Sequence, residues 1–288
     1  VKRTRIKIKT KMAISDLIAQ NDSLSEKAAR KLLRKIPDIE KTIISVLQKY
    51  IGNFDTQAGS LKATRYSQEL INKIEAEIFK TLKKSGYLKA VSEYLQVFPV
   101  LEKQSARMVE AVAKIPISKL PLTKFQKWAV SNTLDQLTNQ GLGKAFIQPI
   151  KEILSRGLIL GSSLTDVQRE LQQRVGGALQ RQVRQVAIDA TQQYQGLIHQ
   201  AVGKKFEMNA FRYIGGLVKD SRPQCVRWVN DFGGILTLED LETEIAWAYA
   251  NGAGMIPGTN PDNFSVYRGG YGCRHEAIPF FLEEQEAA

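Results

Sequence analysis

Through the first 205 residues, apolar side chains recur every three or four positions, the period of an amphipathic helix rather than a strand. From Leu70, the series Ile71, Ile74, Ile78 and Leu82 is interleaved with Lys73, Lys80, Lys83 and Lys84, predicting a helix with one apolar and one basic face. Ser23-Leu24-Ser25-Glu26 has the form of a capping box and predicts a helix start at Ser23, with Pro37 kinking or restarting that helix. Pro99, Pro116 and Pro121 each remove a backbone donor and disfavour helix just before them, so the middle of the chain is expected in short pieces. A further helix is predicted through Trp128, Leu134 and Leu137, interrupted at Gly141 and Gly143, and Gly157 and Gly161 punctuate the next. Ser163-Leu164-Thr165-Asp166 opens a short helix that ends near Gly176-Gly177. Then Leu179, Val183, Val186, Ala187, Ala190, Tyr194, Leu197, Ile198 and Ala201 form one stripe, with Gln and Arg opposite and Gly203 as the natural stop. His199 lies near that end, where the helix dipole favours a protonated ring, and reads as a surface or interface residue.

At Phe211 the pattern changes. Phe211-Arg212-Tyr213-Ile214 is β-prone and Gly215-Gly216 ends it. A short helix is expected within Lys219–Asn230, capped by Asp220 or Ser221 with Pro223 in its first turn. Thr237 to Asp240 caps the next helix, with Leu238, Leu241, Ile245 and Ala248 on its buried face and Gly252 as its stop. Ala253–Gly272, rich in Gly, Pro, Asn and Asp, predicts a long ordered loop or short strands, and Trp228 and Trp247 are expected in the core. The fold class that follows is mainly α: an extended helical N-terminal region followed by a small α+β C-terminal domain. The expected segments are a basic N-terminal arm (1–12), a basic helical region (13–162), long connecting helices (163–205) and the small α+β domain (206–288).

Composition sharpens this picture in three ways. With 288 residues, 43% of them hydrophobic, the chain has room for two compact domains. No window reaches the ~20 apolar residues of a membrane span. Two cysteines make no disulfide framework and suit a reducing cytoplasm. Charge is divided: residues 206–288 hold 6 Lys and Arg against 12 Asp and Glu, whereas residues 1–205 hold 35 against 17. A strongly basic body calls for a polyanion, while the acidic domain suits protein or solvent. The opening Val1–Lys11 is basic without an apolar stretch, so it is no secretory signal; it reads as a segment upstream of an initiating Met12 or as an arm that touches nucleic acid.

The candidate chemistry sits in two segments of the last third. Residues 213–225 read YIGGLVKDSRPQC and residues 267–275 read YRGGYGCRH; they contain both cysteines, Cys225 and Cys273, and His275, one of two histidines. The economical inference is that the segments meet in the fold. Cys225, Cys273 and His275 are then three ligands for a soft divalent metal, with Asp220 as a fourth and zinc as the candidate ion. Two other states stay open: a Cys225–Cys273 disulfide, or two small buried thiols. Arg222 and Arg274, beside the cysteines, would approach each other, with Asp220 bridging them by forked hydrogen bonds. Tyr267-Arg268-Gly269-Gly270-Tyr271 suits either stacking on single-stranded nucleic acid or a glycine-rich turn. No serine-histidine-aspartate order, GxSxG, phosphate-cradling loop or HExxH is present, which argues against an enzyme.

The order Asp220-x-Arg222-x-x-Cys225, Gly233, Pro257-Gly258 and Cys273-Arg274-His275 resembles the C-terminal domain of phage minor head proteins, the Mu F-like head morphogenesis family. Gly272 stands where that family usually has Asn, and the resemblance covers about the last hundred residues. It implies a structural, non-enzymatic virion component without cofactor, made in the host cytoplasm and held inside the capsid near the portal. The implied partners are portal protein, coat or scaffold subunits and packaged double-stranded DNA, with no membrane in the resting state. The implied roles are head assembly and DNA ejection. On this reading the Leu179–Ala201 helix and the C-terminal domain dock to portal or coat, and Lys35, Lys73, Lys80, Lys83, Lys84, Arg181 and Arg184 meet DNA phosphates without base readout. The rivals are a phage-encoded enzyme or toxin of the ADP-ribosyltransferase type and a free cytoplasmic nucleic-acid-binding protein. In the resembled family such activities usually sit on an added C-terminal domain, for which the residues after His275 leave no room.

Overall fold

A computed structural model describes residues 11–113, 122–138 and 140–282. The basic arm expected over 1–12 lies outside the described residues up to position 10, as do Pro116 and Pro121. The chain is mainly α-helical with a small α+β part. In order the elements are α1 (Lys11–Leu33), α2 (Ile36–Ile51), β1 (Thr56–Gln57), β2 (Ser60–Leu61), α3 (Arg65–Lys84), α4 (Tyr87–Leu95), α5 (Val97–Ala113) and α6 (Leu122–Thr138). There follow α7 (Gln140–Leu142), a π-helical turn (Gly143–Ile147), α8 (Gln148–Leu160), α9 (Leu164–Val175), α10 (Ala178–Lys205), β3 (Ala210–Ile214) and α11 (Pro223–Asn230). The chain then forms β4 (Ile235–Thr237), α12 (Leu238–Asn251), a 3-10 turn (Pro261–Asn263), α13 (Phe264–Tyr267) and β5 (Glu276–Phe280).

By packing, the chain divides into two units, each assembled from separated segments. A helical unit comprises Lys27–Gln96 and Val130–Ala187; a mixed unit comprises Val1–Glu26, Val97–Ala129 and Ile188–Ala288.

In the helical unit, α2 packs on α3 and α9, and α8 packs on both α3 and α9. Ile71, Ile74, Ile78 and Leu82 of α3 are all buried, each worth about 2 kcal/mol, so packing rather than the few tenths of helix propensity holds this element. Thr64 caps α3 by accepting from Ser67 N, and Ser163 caps α9 by accepting from Asp166 N. Pro37 falls in the first turn of α2 and restarts the chain after α1. Gly161 ends α8 in the left-handed region (φ 60°), whereas Gly157 lies inside it, where a Cβ would come 2.7 Å from Val167 of α9.

Pro99 falls in the first turn of α5, just after the break between Leu95 and Val97, as expected of a residue that disfavours helix before it. Two local expectations are corrected. Ser23 starts no helix: Ile18, Asn21, Ser25, Ala29 and Leu32 are buried at helical spacing straight across it, and that continuous stripe overrides the capping pattern. Nor does Gly203 stop α10, which runs on to Lys205; a Cβ there would meet Pro279 at 3.0 Å, so the glycine serves a close approach.

The mixed unit holds a three-stranded antiparallel sheet of order β4-β3-β5, with Phe211 opposite both Leu236 and Pro279. Pro279 is tolerated because β5 is an edge strand. Phe211, Tyr213, Trp228, Leu236, Leu241, Ile245 and Phe264 fill the core over this sheet. Thr237 and Asp240 form a reciprocal capping box at the start of α12. Leu241, Ile245 and Ala248 are buried, but Leu238, expected with them, is 44% exposed: it directly follows the cap and faces away. Neither Asp220 nor Ser221 caps α11; Arg222 takes that place, and the Ser221 hydroxyl accepts from Val218 N instead.

Candidate functional site

Tyr213 on β3, Cys225 in the first turn of α11, and Cys273 and His275 just before β5 meet inside the mixed unit. The two sulfur atoms are 4.0 Å apart, and the Tyr213 hydroxyl lies 3.2 Å from Cys225 Sγ and 3.1 Å from Cys273 Sγ. His275 Nδ1 is 3.6 Å from Cys273 Sγ, and its ring stacks on Tyr213 with centroids 4.7 Å apart and planes at 10°. Both cysteines and His275 are buried, and both thiols are free. A hydrogen bond from the Cys225 thiol, with His275 and Arg268 nearby, favours the thiolate at Cys273 against the cost of its burial. The same sharing with Cys273, together with burial, pushes the Cys225 thiol up.

Glycines shape the enclosure. A Cβ on Gly269 would stand 2.6 Å from Cys225 Sγ and 2.7 Å from the Tyr213 hydroxyl, so only glycine lets the backbone cover the sulfurs here. Gly270, at φ 103°, approaches Gly254 O so closely that a Cβ would sit 1.9 Å from it. Arg222 and Gln224 pin this loop: Arg222 Nη1 donates to Gly269 O at 2.9 Å and Nη2 to Tyr271 O, while Gln224 Nε2 donates to Gly269 O at 3.0 Å and Ala253 O at 2.8 Å.

The expected Arg222–Asp220–Arg274 clasp is therefore corrected. Asp220 is exposed and pairs with neither arginine, because the Arg222 guanidinium is engaged by the backbone carbonyls of Gly269 and Tyr271. Arg274 points outward, and its charge is felt at Asp22, whose carboxyl burial pushes up while Arg268 and then Arg274 pull it down.

Beneath the sulfur cluster lies a second group that the sequence did not announce. Arg268, only 2% exposed, donates to His275 O at 2.9 Å and pairs with the equally buried Glu276 at 3.0 Å. Arg268 is thus turned inward, while Tyr271 of the same segment is 46% exposed. Burial pushes the Glu276 carboxyl up to about 7 despite Arg268. His199, read as a surface residue, is wholly buried; Nδ1 lies 3.6 Å from Glu276 Oε2, and burial followed by the Arg268 charge lowers its pKa to about 3. The reason is packing: α10 has no solvent face here, since Thr191, Gln192 and Gln195 are buried as well as Tyr194 and Ile198. A Cβ on Gly196 would stand 2.2 Å from Ser265 O, which marks how tightly α10 is covered. The stripe expected to dock to other subunits thus faces inward.

Other residues missed from sequence are Arg227 and Glu244, a two-pronged pair at 2.7 and 2.8 Å in which Glu244 also accepts from Trp228 Nε1 at 3.1 Å. Their signal was faint, an arginine and a glutamate on short helices. A shallow cleft bordered by Asp189, Gln192, Ile256, Tyr267 and Gly270 reaches Cys273 and Arg268 from outside.

The seven candidate phosphate contacts, Lys35, Lys73, Lys80, Lys83, Lys84, Arg181 and Arg184, all lie in the helical unit and are all exposed. Lys73, Lys80 and Lys84 share one face of α3, opposite its buried stripe, and Lys80 pairs with Glu77. That unit carries 21 Lys and Arg against 11 Asp and Glu. No protein-family model, curated protein or solved structure matches the chain. Among the described residues no helix is long and apolar enough to cross a membrane.

Proposed function

We propose that this chain is a minor head protein of a tailed bacteriophage, of the Mu F-like head morphogenesis kind, held in the capsid near the portal and in contact with packaged DNA. The observation that carries the reading is the role of the pattern residues. Cys225, Cys273 and His275 converge, and Gly233 and Gly258 both stand at positive φ, 60° and 81°. The departure at Gly272 fits too: its φ of 65° is left-handed, a conformation glycine adopts freely and asparagine next most readily. These residues fasten two segments together and shape turns; the thiols and His275 are enclosed rather than displayed to a substrate. That favours a structural module over the toxin or transferase alternative.

The basic helical unit supplies the second half of the mechanism. Exposed lysines and arginines neutralise phosphates and release counterions, a contact indifferent to sequence and suited to a packed genome. Docking to portal, coat or scaffold belongs to the outer surface of the mixed unit. No zinc or other cofactor is required for this role.

Two measurements test it. Phage particles purified by density gradient and analysed by mass spectrometry should contain the chain, protected from external protease until the heads are opened. Its presence only as free protein would overturn the reading. Binding of the purified chain to duplex DNA should weaken by about a thousandfold between 50 and 200 mM salt, whatever the sequence. A flat salt response would remove the DNA half of the proposal.

A further inference from the structure

Among the described residues, one group of three soft or carboxylate side chains stands within metal-binding reach: Cys225, Cys273 and His275, whose ligand atoms are no more than 4.8 Å apart. We propose that this group is a binding site for one zinc ion, with Cys225 Sγ, Cys273 Sγ and a ring nitrogen of His275 as protein ligands. The inference is independent of the virion reading.

Spacing is the first argument. Zinc–sulfur bonds of ~2.3 Å and zinc–nitrogen bonds of ~2.0–2.1 Å in a tetrahedron set sulfur–sulfur separations of about 3.8 Å and sulfur–nitrogen separations of about 3.5 Å. The separations here are 4.0 Å between the sulfurs and 3.6 Å from Cys273 Sγ to His275 Nδ1. A disulfide would need the sulfurs at about 2.05 Å, half their distance.

Preorganisation is the second. The ligands are oriented before any ion arrives: His275 is stacked on Tyr213 and confined by Gly215, where a Cβ would strike its ring at 2.5 Å, and Gly269 closes over both sulfurs. His275 Nε2 is buried with no hydrogen-bond partner, and Nδ1 has only the sulfur, so the imidazole has polar capacity that the protein fold does not use. The Tyr213 hydroxyl, within 3.2 Å of both sulfurs, is placed to donate to thiolates as outer support.

Charge completes the case. Two thiolates and a dication sum to zero, a combination a buried site accommodates better than two bare thiolates.

The test uses the full chain purified without chelator and then exchanged with cobalt(II). About one zinc per chain is expected, with a thiolate-to-cobalt charge-transfer band and tetrahedral visible bands after exchange. Cys225→Ser, Cys273→Ser and His275→Gln should each lower retained metal to below about a tenth of an equivalent. The unmodified chain decides the matter even if those variants fail to fold. Less than about a tenth of an equivalent after zinc reconstitution, with both thiols still titratable, would overturn the site. So would an intact mass about 2 Da low, which reports a disulfide, or full zinc retention by a folded Cys273→Ser variant.

Discussion

The two packed units solve the same problem, closing a core, with different materials. The helical unit buries isoleucine and leucine from α2, α3, α8 and α9; its buried carboxylate Glu40 accepts from the backbone N–H of Gly177 and Gln180 at the start of α10. The mixed unit encloses Arg268, Glu276, Glu244, His199, His275 and two thiols. Hydrophobic burial is tolerant and non-directional, so the first unit can carry many surface lysines without disturbing its interior. Buried charges and sulfurs demand partners at fixed distances. The second unit is therefore the one whose interior rests on named pairs, Arg268 with Glu276 and Arg227 with Glu244.

Removing a buried charge tests that contrast most severely. Arg268→Ala leaves Glu276 and His275 O without their donor and should cost about 3–5 kcal/mol in chemical denaturation. Hydrogen exchange should show the loss in α11, α12 and β5, with α2, α3 and α8 retaining protection; equal loss in both units would break the comparison. The counterpart in the helical unit is Ile74→Ala, which opens a cavity in an apolar core and should cost about 3 kcal/mol by the same assay, with no dependence on pH.

The pH response of the mixed unit is next in size. Glu276 is raised from 4.5 to about 7, so its contribution is present below 4.5 and is lost as pH rises through about 7. His199 is lowered from 6.5 to about 3, so its contribution is present above 6.5 and is lost as pH falls toward about 3. Between 4.5 and 6.5 the two slopes oppose, and the intact protein should be nearly level there. His199→Asn should uncover the Glu276 slope, a fall in stability of about 1.4 kcal/mol per pH unit as pH rises through that range. Glu276→Gln should reverse it, with stability falling as pH drops below 6.5. A level profile in both variants would mean that the pair is not coupled to folding.

The smallest change in stability belongs to the basic face. Lys73→Glu, Lys80→Glu and Lys84→Glu together should alter stability by only about 0.5 kcal/mol per site, because all three side chains are exposed. The same triple variant should reduce the salt slope of DNA binding by about 3. An unchanged slope would move the polyanion contact elsewhere.

Much of the helical unit was legible residue by residue. The spacing of Ile71, Ile74, Ile78 and Leu82, the cap at Ser163 and the stop at Gly161 are local signals, as is the cap at Thr237 in the mixed unit, and local interactions produce them. His199, Leu238 and Asp220 were misread because their surroundings come from residues far along the chain. β5 escaped notice because Pro279 and Glu276 are poor strand signals, excused here by an edge position and by a buried arginine.

By itself, the sequence determined a mainly helical chain, a basic body and an acidic last part, and two short segments holding both thiols and a histidine. Periodicity, charge and rare residue types are properties of the chain at short range, so they survive without a fold. Tertiary structure alone decided that separated stretches combine into two units, that α10 is enclosed at His199, and that Arg268 rather than Asp220 holds the buried charge. Those outcomes depend on which distant surfaces exclude water from one another, and desolvation is a property of the packed molecule rather than of any residue in it.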